Sequence, residues 1–125
     1  MRRRGLRALV IEDSDDTREM YAAVLELEGF TVEEARHGLE GLRKARDYFP
    51  DIIITDLAMP HMDGWEMIGY LKADERTRRI PIIACSGEDS PHARRQLAAD
   101  VVLPKPCGLD LLLMETRRLL VPRAA

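Results

Sequence analysis

The sequence predicts a doubly wound α/β domain: five βα units in succession around one parallel sheet. Three observations predict it. Short apolar runs alternate along the chain with segments of helical period. The run Ile52-Ile53-Ile54 is apolar on both faces, as suits a central strand covered by helices on two sides. Several runs stop at polar residues, among them Glu12-Asp13, Asp56, Ser86 and Lys105. In a parallel sheet such strand ends share one edge, and ligands bind there.

Each element follows from local chemistry. Leu6–Ile11 reads as strand β1. Ser14 or Asp15 can cap helix α1, whose apolar positions Met20, Ala23, Val24 and Leu27 keep the 3.6-residue period until Gly29 ends it. Phe30–Ala35 alternates as β2. Helix α2, Gly38–Tyr48, carries Leu39, Leu42 and Ala45 at helical spacing, and Pro50 precedes β3 at Ile52–Ile54. Asp63 can cap α3, which turns Met67, Ile68 and Leu71 inward. Ile80–Cys85 is β4, and Pro91–Ala98, rich in His92, Arg94 and Arg95, is a short α4. Val101–Leu103 is β5. Leu109, Leu112, Leu113, Thr116, Leu119 and Leu120 line α5, the last helix. Right-handed crossovers and the common strand order 2-1-3-4-5 make β1 and β3 neighbours. That order sets Glu12 and Asp13 beside Asp56 and brings Ser86 and Lys105 to the same edge.

Composition narrows the function. A chain of 125 residues, 46% apolar and 33% charged, is expected to be one soluble domain over residues 1–125. A net charge of −3 argues against a general nucleic-acid grip. No apolar stretch approaches the roughly 20 residues that span a bilayer. The basic start, Met1-Arg-Arg-Arg-Gly5, reads as a solvated end rather than a signal peptide. Cys85 and Cys107 fit a reduced, cytoplasmic setting and read as buried small hydrophobes near strand ends rather than a disulfide or a metal pair.

The acidic edge carries the chemistry. Three converging carboxylates, Glu12, Asp13 and Asp56, cannot all stay ionised without a cation. The economical partner is Mg²⁺, which prefers oxygen ligands and keeps bound water. A lone acidic pair is usually a solvated loop, and an Asp before a turn is usually a cap. Here five separated elements occur in order: Glu12-Asp13, Asp56, Met59-Pro60-x-Met62-Asp63-Gly64, Ser86-Gly87 and Lys105-Pro106. Together they resemble the receiver domain of two-component response regulators, over nearly the whole length.

The resemblance implies a flavodoxin-like three-layer sandwich and a phosphoacceptor role for Asp56. A phosphoryl group would come from a histidine kinase, a phosphotransfer protein or a small acyl phosphate, giving an aspartyl-phosphate. Asp13, Asp56 and the backbone carbonyl of Ala58 would hold Mg²⁺ directly, and Glu12 through a water. Lys105 would meet one phosphoryl oxygen as a point charge and Ser86 another as a donor, with Gly87 its small neighbour and Pro106 a structural residue. Such a module catalyses only its own phosphorylation and dephosphorylation. Its output would be a downstream protein or a second copy docking on the α4-β5-α5 face, with no direct nucleic-acid contact. With only Val121-Pro-Arg-Ala-Ala125 after Leu120, the chain reads as a stand-alone regulator or an excised receiver.

Departures from the family pattern cluster on that face. The position three before the lysine, usually aromatic, is Val102, so no ring can move inward there. The stretch from Ser86 to Lys105 is shorter than usual, with Ala98-Ala99-Asp100 in place of Ala-Gly-Ala-Asp. Leu111 and Met114 stand beside the core stripe of α5, either as a broad buried face or as an exposed patch for a partner. Ala58 offers no polar group to a water attacking the phosphoryl group; its counterpart is Glu88. Three other readings compete. A receiver-like binding module indifferent to phosphorylation would fit the altered output face but not the complete acidic site. An aspartyl phosphohydrolase would carry a second Asp at Ala58. A flavodoxin would need a phosphate-cradling loop where this chain has Glu-Asp-Ser-Asp-Asp.

Overall fold

Strand β3 (Ile52–Asp56) is buried at every position and lies in the middle of a five-stranded parallel sheet of order β2-β1-β3-β4-β5. The structure is a computed structural model that describes residues 5–57, 62, 64–87, 99–105 and 107–120. Its elements are β1 (Arg7–Ile11), α1 (Asp15–Leu27), β2 (Thr31–Ala35), α2 (Gly38–Tyr48), β3, α3 (Gly64–Ala73), β4 (Ile82–Ser86), β5 (Val101–Pro104) and α5 (Leu109–Leu120). The expected α4 at Pro91–Ala98 and the expected cap Asp63 lie outside the described residues.

The sheet is covered on both faces, which explains the unbroken apolar runs. Leu9, Ile11, Ile53, Ile82 and Ala84 point to one side and pack with Leu42, Ala45, Met67, Ile68 and Leu71 of α2 and α3. Ala8, Val10, Ile52, Ile54, Ile83 and Cys85 point to the other and pack with Tyr21, Leu25 and Leu112 of α1 and α5. Neighbouring strand residues alternate between two cores, so one parallel sheet seals both.

Four expectations are corrected. Helix α1 buries Arg18, Tyr21, Ala22 and Leu25, while Met20 (44% exposed), Ala23 and Leu27 (78% exposed) face outward. Both stripes obey the same period, but they lie two residues apart, close to opposite faces at about 100° per residue. The stripe with Tyr21 and Leu25 wins, and the Arg18 charge goes inside because partners meet it there. Leu39 of α2 is likewise exposed. Strand β2 starts at Thr31, because the Phe30 amide still donates back to the Leu25 carbonyl (3.1 Å) as α1 ends through Gly29 at φ 105°. Strand β4 starts at Ile82, because Ile80 closes the preceding turn onto the Thr77 carbonyl (3.0 Å). There Asp100 takes the Ile82 amide on Oδ2 (2.8 Å) and gives its own amide to the Ile82 carbonyl (2.9 Å).

Candidate functional site

The carboxyl ends of β1, β3, β4 and β5 place Glu12, Asp56, Ser86 and Lys105 along one edge. Strand bonds continue into the loops and hold these positions. Glu12 N donates to the Ala35 carbonyl (2.9 Å), Leu57 N to the Cys85 carbonyl (3.2 Å) and Lys105 N to the Ser86 carbonyl (2.9 Å). Asp56 is 4% exposed and Glu12 2%, whereas Asp13 faces solvent. One carboxylate oxygen from each of the three lies within 4.8 Å of the others. An all-oxygen set of this compactness, two members of it buried, fits a hard divalent cation.

Lys105 is the counter-charge. Its Nζ stands 2.7 Å from Asp56 Oδ2 and 3.3 Å from Glu12 Oε1. Burial works against this ammonium, but the bonds to Asp56 and Glu12 outweigh it and lift its pKa above the ordinary value. Burial also pushes the Glu12 carboxyl above its ordinary 4.5; the hydrogen bond with Asp13 and the Asp56 charge push the same way, against the Ser14 amide and Lys105. The crowding expected from the sequence is therefore present, and Lys105 itself relieves part of it.

Two residues hold this edge from behind. Arg18, 5% exposed, donates Nη1 to the Glu12 carbonyl (2.9 Å) and Nε to Glu34 (3.1 Å), and it pairs with Asp15. Ser14 caps α1 by accepting the Thr17 amide (3.4 Å), and its own amide donates to Glu12 Oε2 (2.9 Å). Gly64 opens α3 against the end of β3: its amide donates to the Leu57 carbonyl (2.9 Å). A Cβ at Gly64 would stand 2.7 Å from the Asp56 carbonyl oxygen and 2.6 Å from Leu57 Cα. Only glycine lets the helix approach this closely.

Beside Lys105 the two cysteines meet. Both are buried and free and belong to one core cluster, and the Cys107 thiol donates to the Gly108 carbonyl (3.6 Å). The neighbouring Cys107 thiol and burial push the Cys85 thiol up, and Cys85 holds the Cys107 thiol below its ordinary value. Burial and the neighbouring thiols raise the Tyr21 phenol, whose hydroxyl touches Cys85.

The profile of the response regulator receiver domain matches residues 8–117. The chain belongs to this family. It is a receiver domain of two-component signalling, a phosphoacceptor module. It is 31% identical over 104 residues to the polar-differentiation response regulator DivK of Brucella ovis, covering 81% of this chain and 85% of that protein. The chemotaxis response regulator CheY4 of Vibrio cholerae superposes with a TM-score of 0.85 at 31% identity, over 92% of this chain and 98% of that one. The signal receiver domain of a histidine kinase from Syntrophus aciditrophicus gives 0.87 at 32%, over 97% and 96%.

Within this receiver the structure unites Glu12, Asp13, Asp56 and Lys105, with Ser86 half-buried at the end of β4. Ala58 and Pro106 lie outside the described residues. Among the described residues, an added Cβ at Gly87 would meet nothing within 4 Å. Val102 is half-buried against the α2–α3 core, Leu111 packs partly on the other core, and Met114 is 53% exposed. The sequence reading missed Arg18. Its i,i+3 spacing to Asp15 fits an ion pair, but nothing in the pattern shows that it turns inward.

No helix among the described residues is long and apolar enough to cross a membrane.

Proposed function

We propose that Asp56 is the phosphoacceptor and that Mg²⁺ bound by Asp13, Asp56 and the Ala58 carbonyl, with Glu12 reaching it through water, is its cofactor. The observation that carries this reading is the convergence of three carboxylates and Lys105 at one strand edge, Nζ 2.7 Å from Asp56. An Asp56 carboxylate oxygen attacks phosphorus, and the bond to the phosphohistidine nitrogen or acyl oxygen breaks with its electron pair. When bound, Mg²⁺ offsets the repulsion between carboxylate and phosphoryl oxygens. Lys105 offers a phosphoryl oxygen its ammonium once Asp56 is esterified and no longer a full anion. Ser86 donates its hydroxyl to another oxygen. Buried Glu12, held by Ser14 and Arg18, keeps the acidic loop in place.

The donor is a histidine kinase or a phosphotransfer protein. The readout is a downstream protein or a second copy at the α4-β5-α5 face, with Val102, Leu111 and Met114 as its candidate residues, and the setting is cytoplasmic. Intact-mass measurement after incubation with a small acyl phosphate and Mg²⁺ tests the core of this reading. Wild type gains one phosphoryl group and Asp56→Asn gains none. Equal labelling of the two proteins refutes the assignment.

A further inference from the structure

Outside the phosphoryl site, the two cysteines are the reactive groups that signalling chemistry leaves unused. Cys85 sits on β4, its Cα paired with Asp56 of β3, and is 1% exposed. Cys107 follows β5 two residues beyond Lys105 and is 7% exposed. Cys85 pairs with Leu103 of β5 and the Lys105 amide donates to the Ser86 carbonyl (2.9 Å), so the two cysteines lie with Tyr21 in one buried cluster. Cys107, not Cys85, lines an open cavity of about 340 Å³ together with Thr17, Met20, Tyr21 and Lys105. One thiol of a neighbouring pair thus borders an opening while the other lies behind it. That is the arrangement of an attacking and a resolving cysteine.

We propose that Cys107 and Cys85 form a peroxide-oxidisable dithiol that closes to a disulfide and so ties the Lys105 segment to the end of β4. The Cys107 sulfur attacks one oxygen of a hydroperoxide that enters through the cavity. The O–O bond breaks, water leaves when the peroxide is hydrogen peroxide, and Cys107 becomes a sulfenic acid. The Cys85 sulfur then attacks the Cys107 sulfur, the S–O bond breaks, and the hydroxyl departs with the Cys85 proton as a second water. Two thiols lose two electrons, and one peroxide gains them. Bond formation draws the segment after β5 toward β4 and moves the Lys105 ammonium relative to Asp56. The thiol chemistry stands apart from the phosphoacceptor reading; its effect on phosphoryl uptake rests on that reading.

The test uses the full chain, reduced and then treated with hydrogen peroxide, unfolded, alkylated and peptide-mapped. The expected result is joint loss of both alkylatable thiols, one peptide linked through Cys85 and Cys107, and reversal by dithiothreitol. In Cys85→Ala the sulfenic acid stays on Cys107 and takes a dimedone tag. If that variant does not fold, the wild-type map still decides. Two free thiols after peroxide treatment, or disulfides that join two chains instead, overturn the proposal. Uptake from a small acyl phosphate should fall roughly tenfold in the oxidised protein and recover on reduction, because displacement near 1 Å at reacting groups costs up to about 10²-fold. Equal uptake by oxidised and reduced protein overturns the coupling. A reduced protein that takes up no phosphoryl group refutes the phosphoacceptor reading instead and leaves the peptide map to judge the thiols.

Discussion

Replacing Lys105 with methionine keeps most of the side-chain volume and removes the charge that faces Asp56 and Glu12. At an effective dielectric of about 20, each of these contacts is worth on the order of 5–6 kcal/mol gross. Desolvation of all three groups cancels most of that. Breaking a buried pair by removing one partner costs about 3–5 kcal/mol in the general case. The Lys105 side chain is 31% exposed, so the lower end applies. The expected loss in metal-free protein near pH 8 is about 2–3 kcal/mol. The loss should depend on pH with a definite sign. The folded Glu12 carboxyl lies above its ordinary 4.5, so the fold favours its protonated form. Stability from this group is fully present below 4.5 and falls as pH rises through the raised value. Lys105 opposes that elevation, so its removal raises Glu12 further and carries the fall to higher pH. The gap between wild type and Lys105→Met therefore narrows toward pH 5 and widens above neutrality. Saturating Mg²⁺ should narrow it too, since a cation among the carboxylates replaces the missing charge. Urea unfolding from pH 5 to 8, with chelator and with Mg²⁺, measures all three trends. A gap that ignores both pH and Mg²⁺ would show that Lys105 contributes its hydrocarbon stem rather than its charge.

Other substitutions probe the parts separately. Asp13→Asn should weaken Mg²⁺ binding by at least about tenfold, as loss of even an outer partner does, and should raise metal-free stability slightly by relieving charge crowding; titration calorimetry and urea unfolding check both. Gly64→Ala places a methyl 2.7 Å from the Asp56 carbonyl oxygen. It should cost about 1–3 kcal/mol and slow phosphoryl uptake, read by thermal unfolding and intact mass. Arg18→Lys cannot reach the Glu12 carbonyl, Asp15 and Glu34 at once; a loss of about 2–3 kcal/mol with weaker Mg²⁺ binding is expected, against an unchanged Mg²⁺ affinity if Arg18 only packs. The Thr116 hydroxyl on α5 is buried without a hydrogen-bond partner among the described residues. Thr116→Val should therefore stabilise the protein by about 1 kcal/mol, visible as a raised urea midpoint.

Much of this was legible in the sequence because two kinds of signal are short-ranged. Apolar runs mark strands, and a polar residue at the end of a run marks the edge where the strand stops. Asp56, Ser86 and Lys105 needed nothing more. Helix orientation was less legible. Met20-Ala23-Val24-Leu27 and Arg18-Tyr21-Ala22-Leu25 satisfy one period equally. A charged residue in the second stripe makes the wrong one look better. What decides is whether the Glu12 carbonyl and the Glu34 carboxylate stand within reach of the guanidinium, and that depends on β1 and β2 being neighbours. The contact between Cys85 and Cys107 was hidden for the same reason: it spans two strands and a turn. Gly64 read as part of a loop motif, but its necessity comes from the 2.6 Å approach to Leu57 Cα.

The backbone bonds at the site bear on how a phosphorylated state is read out. Leu57 hangs on the Cys85 carbonyl, and Lys105 on the Ser86 carbonyl, so the ends of β3, β4 and β5 form one hydrogen-bonded edge. A group that draws Ser86 and Lys105 toward Asp56 acts on that edge as a unit. Allostery then requires an element with two arrangements that the edge can bias. Val102 is not that element. It is β-branched, with few rotamers, and it already packs against the α2–α3 core, so it has no second position comparable to a swinging ring. Lys105 does have two arrangements in the proposed reaction. It holds Asp56 and Glu12 before phosphorylation and a phosphoryl oxygen afterwards. Its departure from Glu12 leaves that buried carboxylate to the Ser14 amide, with cation and water in place of the ammonium. The charge rearrangement thus reaches β1 and the Arg18 clamp on α1 as well as β5, and it joins the two sides of the sheet without an aromatic switch.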